Sequence, residues 1–445
     1  MKRISRIIVG MLLLAIPMCM NAQVNPSKGE STKPGTKPKT EKAEVEKAKT
    51  EKAVKPEKKE KNVKTEKSLK PSKSEKAETT LKPTKSEKEE KTITAKKTAK
   101  ADEAENPEKT EKKSGGLEMP KISGFVQGMY QANFDEDFNL SSNTFRMRRV
   151  RLSVDGTLYK GLTYKIQGDF SRSPMLVDAY VKYKACNAFA IQIGQFKTPF
   201  TLESPINPVN LEIFDYGESV QKLVGYSDVC GVGALGRDLG VMATGSLFPV
   251  KDYRIVDYAI GVFNGNGANA LDNNNRKDIV GRLEVHPGLK DLTLSGSFYY
   301  GQYKSSDNEG VRNRWTAGAQ YNDGNLIVRA EYLSGTTGYN NGNTYPNGEI
   351  IELYRSSAGY YAVAGYNIAF GKDKSQKLMP VLRYEHFEPG DMNDIVYGGT
   401  NWYTAGINYW PLKSLNFKLD YSLVQQTIGE KTNSHRVVGI LSYKF

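Results

Sequence analysis

The sequence predicts an all-β protein, a 16-stranded antiparallel transmembrane β-barrel preceded by a disordered Lys/Glu-rich N-terminal segment. Three observations predict it. Phe445, Tyr443, Leu441, Gly439 and Val437 fall on one face of the last segment, and Lys444, Ser442, Ile440 and Val438 on the other. A period of two is that of a strand with one apolar face. Second, the chain starts with an export signal. Third, no later stretch reaches the ~18 apolar residues of a spanning helix. A membrane chain without such helices must close its strands into a barrel, so that every backbone N–H and C=O is paired.

In chain order, Lys2, Arg3 and Arg6 form a positive start, Ile7 to Met20 an apolar run, and Asn21-Ala22 a small-residue cleavage site before Gln23. Residues 1–22 therefore read as a secretory signal peptide. Cys19 lacks the small preceding residue of a lipoprotein signal, because Met18 stands there.

Residues 23–116 form a low-complexity segment of Lys, Glu, Thr, Ala, Pro and Ser. Thr40-Glu41-Lys42, Thr50-Glu51-Lys52, Thr65-Glu66-Lys67 and Thr110-Glu111-Lys112 recur at irregular intervals, which is low complexity rather than a solenoid. Such a segment buries too little apolar surface to offset chain entropy. Residues 24–114 hold 27 Lys against 18 acids, so most of the net charge of +13 belongs to this run and the signal. Three readings stay open: a solvated spacer, a periplasmic tether to anionic cell-wall polymers, and a transient helix or coiled coil. An exported chain makes nucleic acid a poor partner. Ser114-Gly115-Gly116 marks the hinge into the folded part, residues 117–445.

From Pro120 onward, alternating segments are separated by polar, Gly- and Asn-rich breaks. The predicted strands are 121–131, 144–156, 162–172, 177–185, 189–197, 237–247, 253–263 and 277–286. They continue with 292–303, 311–321, 325–334, 356–370, 378–388, 399–410, 415–427 and 435–445. Pro287–Asp291, Asn322–Gly324 and Pro411–Ser414 are short connections, whereas 198–236 and 335–355 are long. Short turns on one side, long loops on the other and an even count are the pattern of an outer-membrane barrel. An even count also places both ends of the barrel segment, and the Lys-rich tail with them, on the periplasmic side.

The alternation assigns faces. Phe417, Leu419, Tyr421 and Leu423 look outward to lipid, and Asn416, Lys418, Asp420 and Ser422 inward. Leu162, Tyr164, Ile166 and Phe170 look outward, and Lys165, Gln167 and Asp169 inward. A polar interior in so wide a barrel implies a water-filled lumen for small solutes. Arg282/Glu284, Arg329/Glu331, Arg383/Glu385 and Lys418/Asp420 put opposite charges on the inward face. A mixed wall predicts modest selectivity.

More specific segments follow one another in order. They are Phe145-Arg146-Met147-Arg148-Arg149-Val150-Arg151-Leu152, Tyr164-Lys165-Ile166-Gln167-Gly168-Asp169-Phe170 and Asp178-Ala179-Tyr180-Val181. After them come Ile193-Gly194-Gln195-Phe196-Lys197-Thr198-Pro199-Phe200, Gly236-Arg237-Asp238-Leu239-Gly240-Val241 and Gly261-Val262-Phe263-Asn264-Gly265-Asn266-Gly267. Together they resemble the phosphate-selective porin O and P family from about residue 120 to 445. The closing strand on Phe445 likewise resembles those of bacterial outer-membrane barrels. The resemblance implies an outer-membrane porin, a homotrimer, passage of small ions or anions including phosphate, and a third extracellular loop folded inward as a constriction. The connection 198–236 is third on its side and the longest. Its acids are Glu203, Glu212, Asp215, Glu218 and Asp228, against the single base Lys222.

Arg148 and Arg149 match the family's paired arginines. On a regular strand Arg149 and Arg151 share the lumen face, and Arg148 faces the other way unless a bulge turns it inward. Phe125 and Thr163 stand where phosphate-selective members carry an arginine and a lysine.

Other motifs carry no chemistry. Gly231-x-Gly233-x-x-Gly236 matches a dinucleotide fingerprint but precedes a strand, not a helix. His286, His386 and His435 lie on separate strands, and their sequence spacing suggests no metal site. A Cys186–Cys230 disulfide would need the long loop to reach the opposite barrel end. The expectation is a channel, with no catalytic residue, no cofactor and no metal. The alternative is an envelope-anchoring or surface interaction protein that uses residues 24–114 to bind cell-wall polyanions.

Overall fold

The computed structural model describes residues 119–445 apart from 234, 251–252, 306–308, 341–352, 392–397 and 428–431. The signal segment and the lysine-rich run fall outside these residues. The first eight strands are β1 (Lys121–Phe134), β2 (Leu140–Tyr159), β3 (Leu162–Asp169), β4 (Leu176–Cys186), β5 (Phe189–Lys197), β6 (Arg237–Val250), β7 (Tyr253–Phe263) and β8 (Asp278–Val285). The next are β9 (Leu292–Tyr300, resuming at Gln302–Lys304), β10 (Glu309–Asn322), β11 (Leu326–Tyr339) and β12 (Leu353–Tyr366, resuming at Ile368–Phe370). The last are β13 (Gln376–Glu388), β14 (Thr400–Leu412), β15 (Leu415–Gln426) and β16 (Thr432–Lys444).

Each strand pairs antiparallel with its neighbours, and β1 pairs with β16, closing a barrel of 16 strands. The seam is completed by the last residue. Gly124 N–H donates to the Phe445 carbonyl at 2.9 Å, and Phe445 N–H to the Gly124 carbonyl at 3.1 Å. A Cβ on Gly124 would lie 2.5 Å from the Arg151 carbonyl oxygen and 2.6 Å from the Phe445 ring. Among the described residues no helix is long and apolar enough to cross a membrane.

All sixteen expected spans coincide with strands. β3 stops at Asp169, short of 172, because the Asp169 carboxylate accepts hydrogen bonds from the Ser171 N–H and hydroxyl. Local side-chain bonds of this kind compete with a sheet ladder. The parity holds as well. On β16, Ile440 and Ser442 are 4% and 1% exposed and face the lumen, whereas Leu441 and Tyr443 are 46% and 51% exposed and face outward.

β2 carries the bulge that the paired arginines require. Gln127 pairs with Arg149, but the next residue of β1, Gly128, pairs with Met147, leaving Arg148 as the extra residue. The phase of the strand flips there. Arg148 and Arg149 are both buried on the lumen side, 8% and 6% exposed. Arg146, opposite inward-facing Met129, and Arg151, opposite Phe125, extend the ladder on either side.

Residues 198–236 turn into the barrel and bring an apolar core with them. Phe200, Leu211, Ile213, Tyr216, Val220 and Leu223 pack against inward-facing Phe263, Val280, Leu333, Tyr361, Val381 and Phe387. Burying a Leu or Phe side chain contributes about 1.5–3 kcal/mol. Wall side chains alone do not fill the lumen; this segment narrows it. Its helix α1 (Glu218–Leu223) lies against β11, β12 and β13. Gly217 caps α1 where a Cβ would sit 2.0 Å from the Arg383 guanidinium.

Candidate functional site

The constriction is held by ion pairs that join the inserted segment to distant strands. Asp215 reaches both bulge arginines, at 2.9 Å from Arg148 and 3.7 Å from Arg149. Glu203 lies 2.7 Å from Arg383 on β13 and 3.6 Å from Arg329 on β11. Glu212 takes Arg329 at 2.7 Å. Asp228 takes Arg314 on β10 at 2.5 and 2.6 Å. Backbone groups are held too. Lys418 donates to the carbonyls of Leu211 and Ile213, Asn408 to that of Glu212 and Arg282 to that of Thr201. Glu331 accepts from Leu202 N–H, and Glu385 from Glu218 N–H. Phe214 sits between the guanidiniums of Arg148 and Arg436, about 6 Å from each.

These contacts set the charge state of the segment's acids. Burial pushes the Asp215 carboxyl up, but the Arg148 and Arg149 guanidiniums outweigh it and hold it below the usual range. Burial against Arg329 for Glu212, and against Arg314 for Asp228, ends the same way. Glu218 is the exception: burial raises it, and Lys222 at 3.7 Å compensates only in part. Burial also pushes the Cys230 thiol up to about 11. Cys186 is exposed at a turn and Cys230 buried, and both thiols are free.

All the wall residues singled out by parity point inward, and the segment sorts them into two groups. Arg329, Glu331, Arg383, Glu385, Lys418 and Asp420 are buried beneath it. Two of the same-face charge pairs form contacts, Arg282–Glu284 at 3.2 Å and Arg383–Glu385 at 2.8 Å. The other two do not pair as the spacing suggests, because Arg329 turns to Glu212 and Lys418 to backbone carbonyls. Arg149, Arg151 and Asp169 are also buried, with Arg151 2.9 Å from Asp169. Lys165, Arg282 and Glu284 remain half-buried and reach open space.

That space includes a cavity of about 240 Å³ beside the inserted segment. Arg151, Lys165, Lys197, Arg237 and Asp178 line it together with Pro205, Asn207 and Pro208 of the segment. Arg237 grips Asp178 with two hydrogen bonds, at 2.7 and 3.2 Å. Lys197 donates to the carbonyls of Ser204 and Ile206 and to the Tyr216 hydroxyl. Lys165 makes no hydrogen bond or ion pair among the described residues. Lys197 and Arg237 lie in the segments 193–200 and 236–241, but strand parity alone does not single them out. A second cavity, of about 370 Å³, opens at the barrel end that carries Phe445. It is lined by Lys182, Lys184, Arg254, Asp257, Arg282 and Glu284.

Sequence spacing suggested no ligand cluster, yet Asp257, Glu284 and His286 present ligand atoms within 4.8 Å of one another. Asp257 lies 29 residues from His286 in the chain and becomes its neighbour only through β7–β8 pairing.

A family model described as phosphate-selective porin O and P matches residues 121–445. The chain belongs to that family. It is thus an outer-membrane porin, and its barrel is that of a passive channel; fold and family are those of channels rather than enzymes. Solved structures agree on the fold. An anion-selective porin from Comamonas acidovorans is 14% identical, with a TM-score of 0.53 over 74% of this porin and 99% of that chain. The outer membrane channel DcaP of Acinetobacter baumannii is 14% identical, with a TM-score of 0.52 over 73% and 97%. The trimer form of OmpT from Vibrio cholerae is 12% identical, with a TM-score of 0.51 over 74% and 100%. No curated protein matches this porin.

Proposed function

We propose that this porin passes small anions with a weak preference over cations, set in the 240 Å³ cavity beside the constriction. One observation carries the reading: four basic side chains, Arg151, Lys165, Lys197 and Arg237, face that space against the single acid Asp178. The buried wall charges beneath the inserted segment are balanced by its acids, so they contribute little net field. Arg237 and Lys197 are held rigid by their hydrogen bonds, and Lys165 keeps its charge available to a passing ion. A phosphate-specific pore needs a sustained positive run to replace hydration. With Phe125 and Thr163 at two of its basic positions, broad anion passage is favoured over phosphate specificity. The test is reversal potential in planar bilayers, first in a chloride gradient and then in a phosphate gradient. A reversal potential reporting cation preference would sink the reading.

Two further parts of the reading rest on the family and on composition. The barrel works as a homotrimer, with Phe445 and the start of β1 toward the periplasm. Residues 24–114 are then a periplasmic run whose lysines suit anionic cell-wall polymers.

A further inference from the structure

Asp257 on β7 and Glu284 on β8 are direct cross-strand partners. Both face the lumen near the barrel end that carries Phe445. Like charges placed directly opposite on neighbouring strands are destabilising, so this register calls for a cation. Arg282 answers only in part. Its Nε lies 3.2 Å from Glu284 Oε1, while its Nη1 is drawn away to the Thr201 carbonyl.

His286 follows Glu284 by two residues and shares its face. Its Nε2 lies 3.0 Å from Asp257 Oδ2. Its Nδ1 faces the Leu292 carbonyl at 3.3 Å and the Thr293 hydroxyl at 3.2 Å. A proton on Nδ1, donated to the Leu292 carbonyl, leaves the Nε2 lone pair aimed at a carboxylate. Two electron-rich atoms at that distance need a positive charge between them. Metal-binding histidines are oriented in this way, with the second ring nitrogen donating to a carbonyl.

We propose that Asp257, Glu284 and His286 bind one first-row divalent cation of the Zn²⁺ type at this lumen mouth. One imidazole nitrogen and two carboxylate oxygens suit such an ion, which sits about 2.0–2.2 Å from each donor. The donor atoms, already within 4.8 Å of one another, need small rotamer changes to close on it. The 370 Å³ cavity gives access, and Asp257 and Glu284 line it. Lys182, Lys184 and Arg254 line the same cavity. They oppose a bare cation, but they favour a bound one whose open positions carry an anion. The ion then adds positive charge at the mouth through which anions pass.

The competing arrangement places the proton on Nε2, donated to Asp257, with the Thr293 hydroxyl donating to Nδ1. It needs no metal. The two are separated by titrating Zn²⁺ into the full-length detergent-solubilised protein after chelator treatment, with calorimetric detection. The expected result is a site of one Zn²⁺ per chain that weakens at least tenfold in Asp257→Asn and in His286→Ala. The near-isosteric Glu284→Gln serves if either variant fails to show the heat-modifiable migration of a folded barrel. No binding by the wild type, or binding unchanged in the folded variants, overturns the proposal. A second readout is a shift of reversal potential toward stronger anion preference when Zn²⁺ is added. That readout rests on the channel's anion preference and the calorimetric one does not, so failure of either is distinguishable.

Discussion

Glu203 and Arg383 lie 2.7 Å apart although 180 residues separate them. Both are buried, and Arg329 stands 3.6 Å from the same carboxylate. A residue just inside the long connection is thereby tied to the far wall of the barrel. Breaking a buried pair by removing one partner costs about 3–5 kcal/mol. Arg383→Ala approaches that figure less closely, because Arg329 stays near Glu203. The inserted segment should loosen without loss of the barrel. Limited trypsin digestion then cuts after Lys222 in the variant and spares it in the wild type, and single-channel current becomes noisier. A variant as resistant at Lys222 as the wild type would show that the apolar core alone holds the segment.

Acid should release the same segment. Glu212, Asp215 and Asp228 are each held below their ordinary values in the folded barrel. Their contribution is therefore fully present above the unfolded carboxylate range, about 3.9–4.3, and is lost as pH falls through the lowered folded values. Glu218, raised by burial, has the opposite sign and protonates first. Conductance should hold steady from neutral pH down to about 4 and change in a step below it. Asp215→Asn should move that step to higher pH.

Lys165→Glu puts a second acid beside Asp178 in the 240 Å³ cavity. The excess of bases over acids there falls from four against one to three against two, at the one base without a hydrogen-bonded partner. Anion preference should fall, read as a reversal potential closer to zero, with little change in heat stability. Thr163→Lys, at the barrel end nearby, should act in the opposite direction.

Gly124→Ala attacks the seam. The added Cβ meets the Arg151 carbonyl, a backbone atom that cannot rotate away, and overpacking of this kind costs about 1–3 kcal/mol. The temperature at which the barrel changes its gel migration should drop. Removing Phe445 should lower it too, since the same two backbone hydrogen bonds are lost.

Deleting residues 24–114 should leave conductance and reversal potential unchanged, because the barrel closes without them. Loss of co-sedimentation with purified cell-wall material, abolished also by high salt in the intact protein, would assign the lysines their electrostatic role.

The strands were legible because their signal is local. Phe417, Leu419 and Tyr421 against Lys418 and Asp420 report two faces within a few residues. The count, the long third connection and the constriction acids Glu203, Glu212, Asp215 and Glu218 could likewise be read along the chain. The partner of each acid could not. Arg329 looked like the neighbour of Glu331, yet it bonds Glu212, 117 residues away. Asp257 and His286 lay on the consecutive strands 253–263 and 277–286, but the register that sets Asp257 opposite Glu284, and so beside His286, could not be read from spacing.

By itself, then, the sequence determined a closed barrel, its family and which side chains look inward, because a strand's period of two is imposed residue by residue on the backbone. The tertiary structure decided the rest. It inserted one extra residue at Arg148 and so brought that arginine into the lumen beside Arg149. It folded 198–236 inward, converted most of the wall's charges into anchors, and left Lys165, Lys197 and Arg237 around open space. Those outcomes depend on register and on contacts between distant segments, where burial and paired charge, not local periodicity, set the energy.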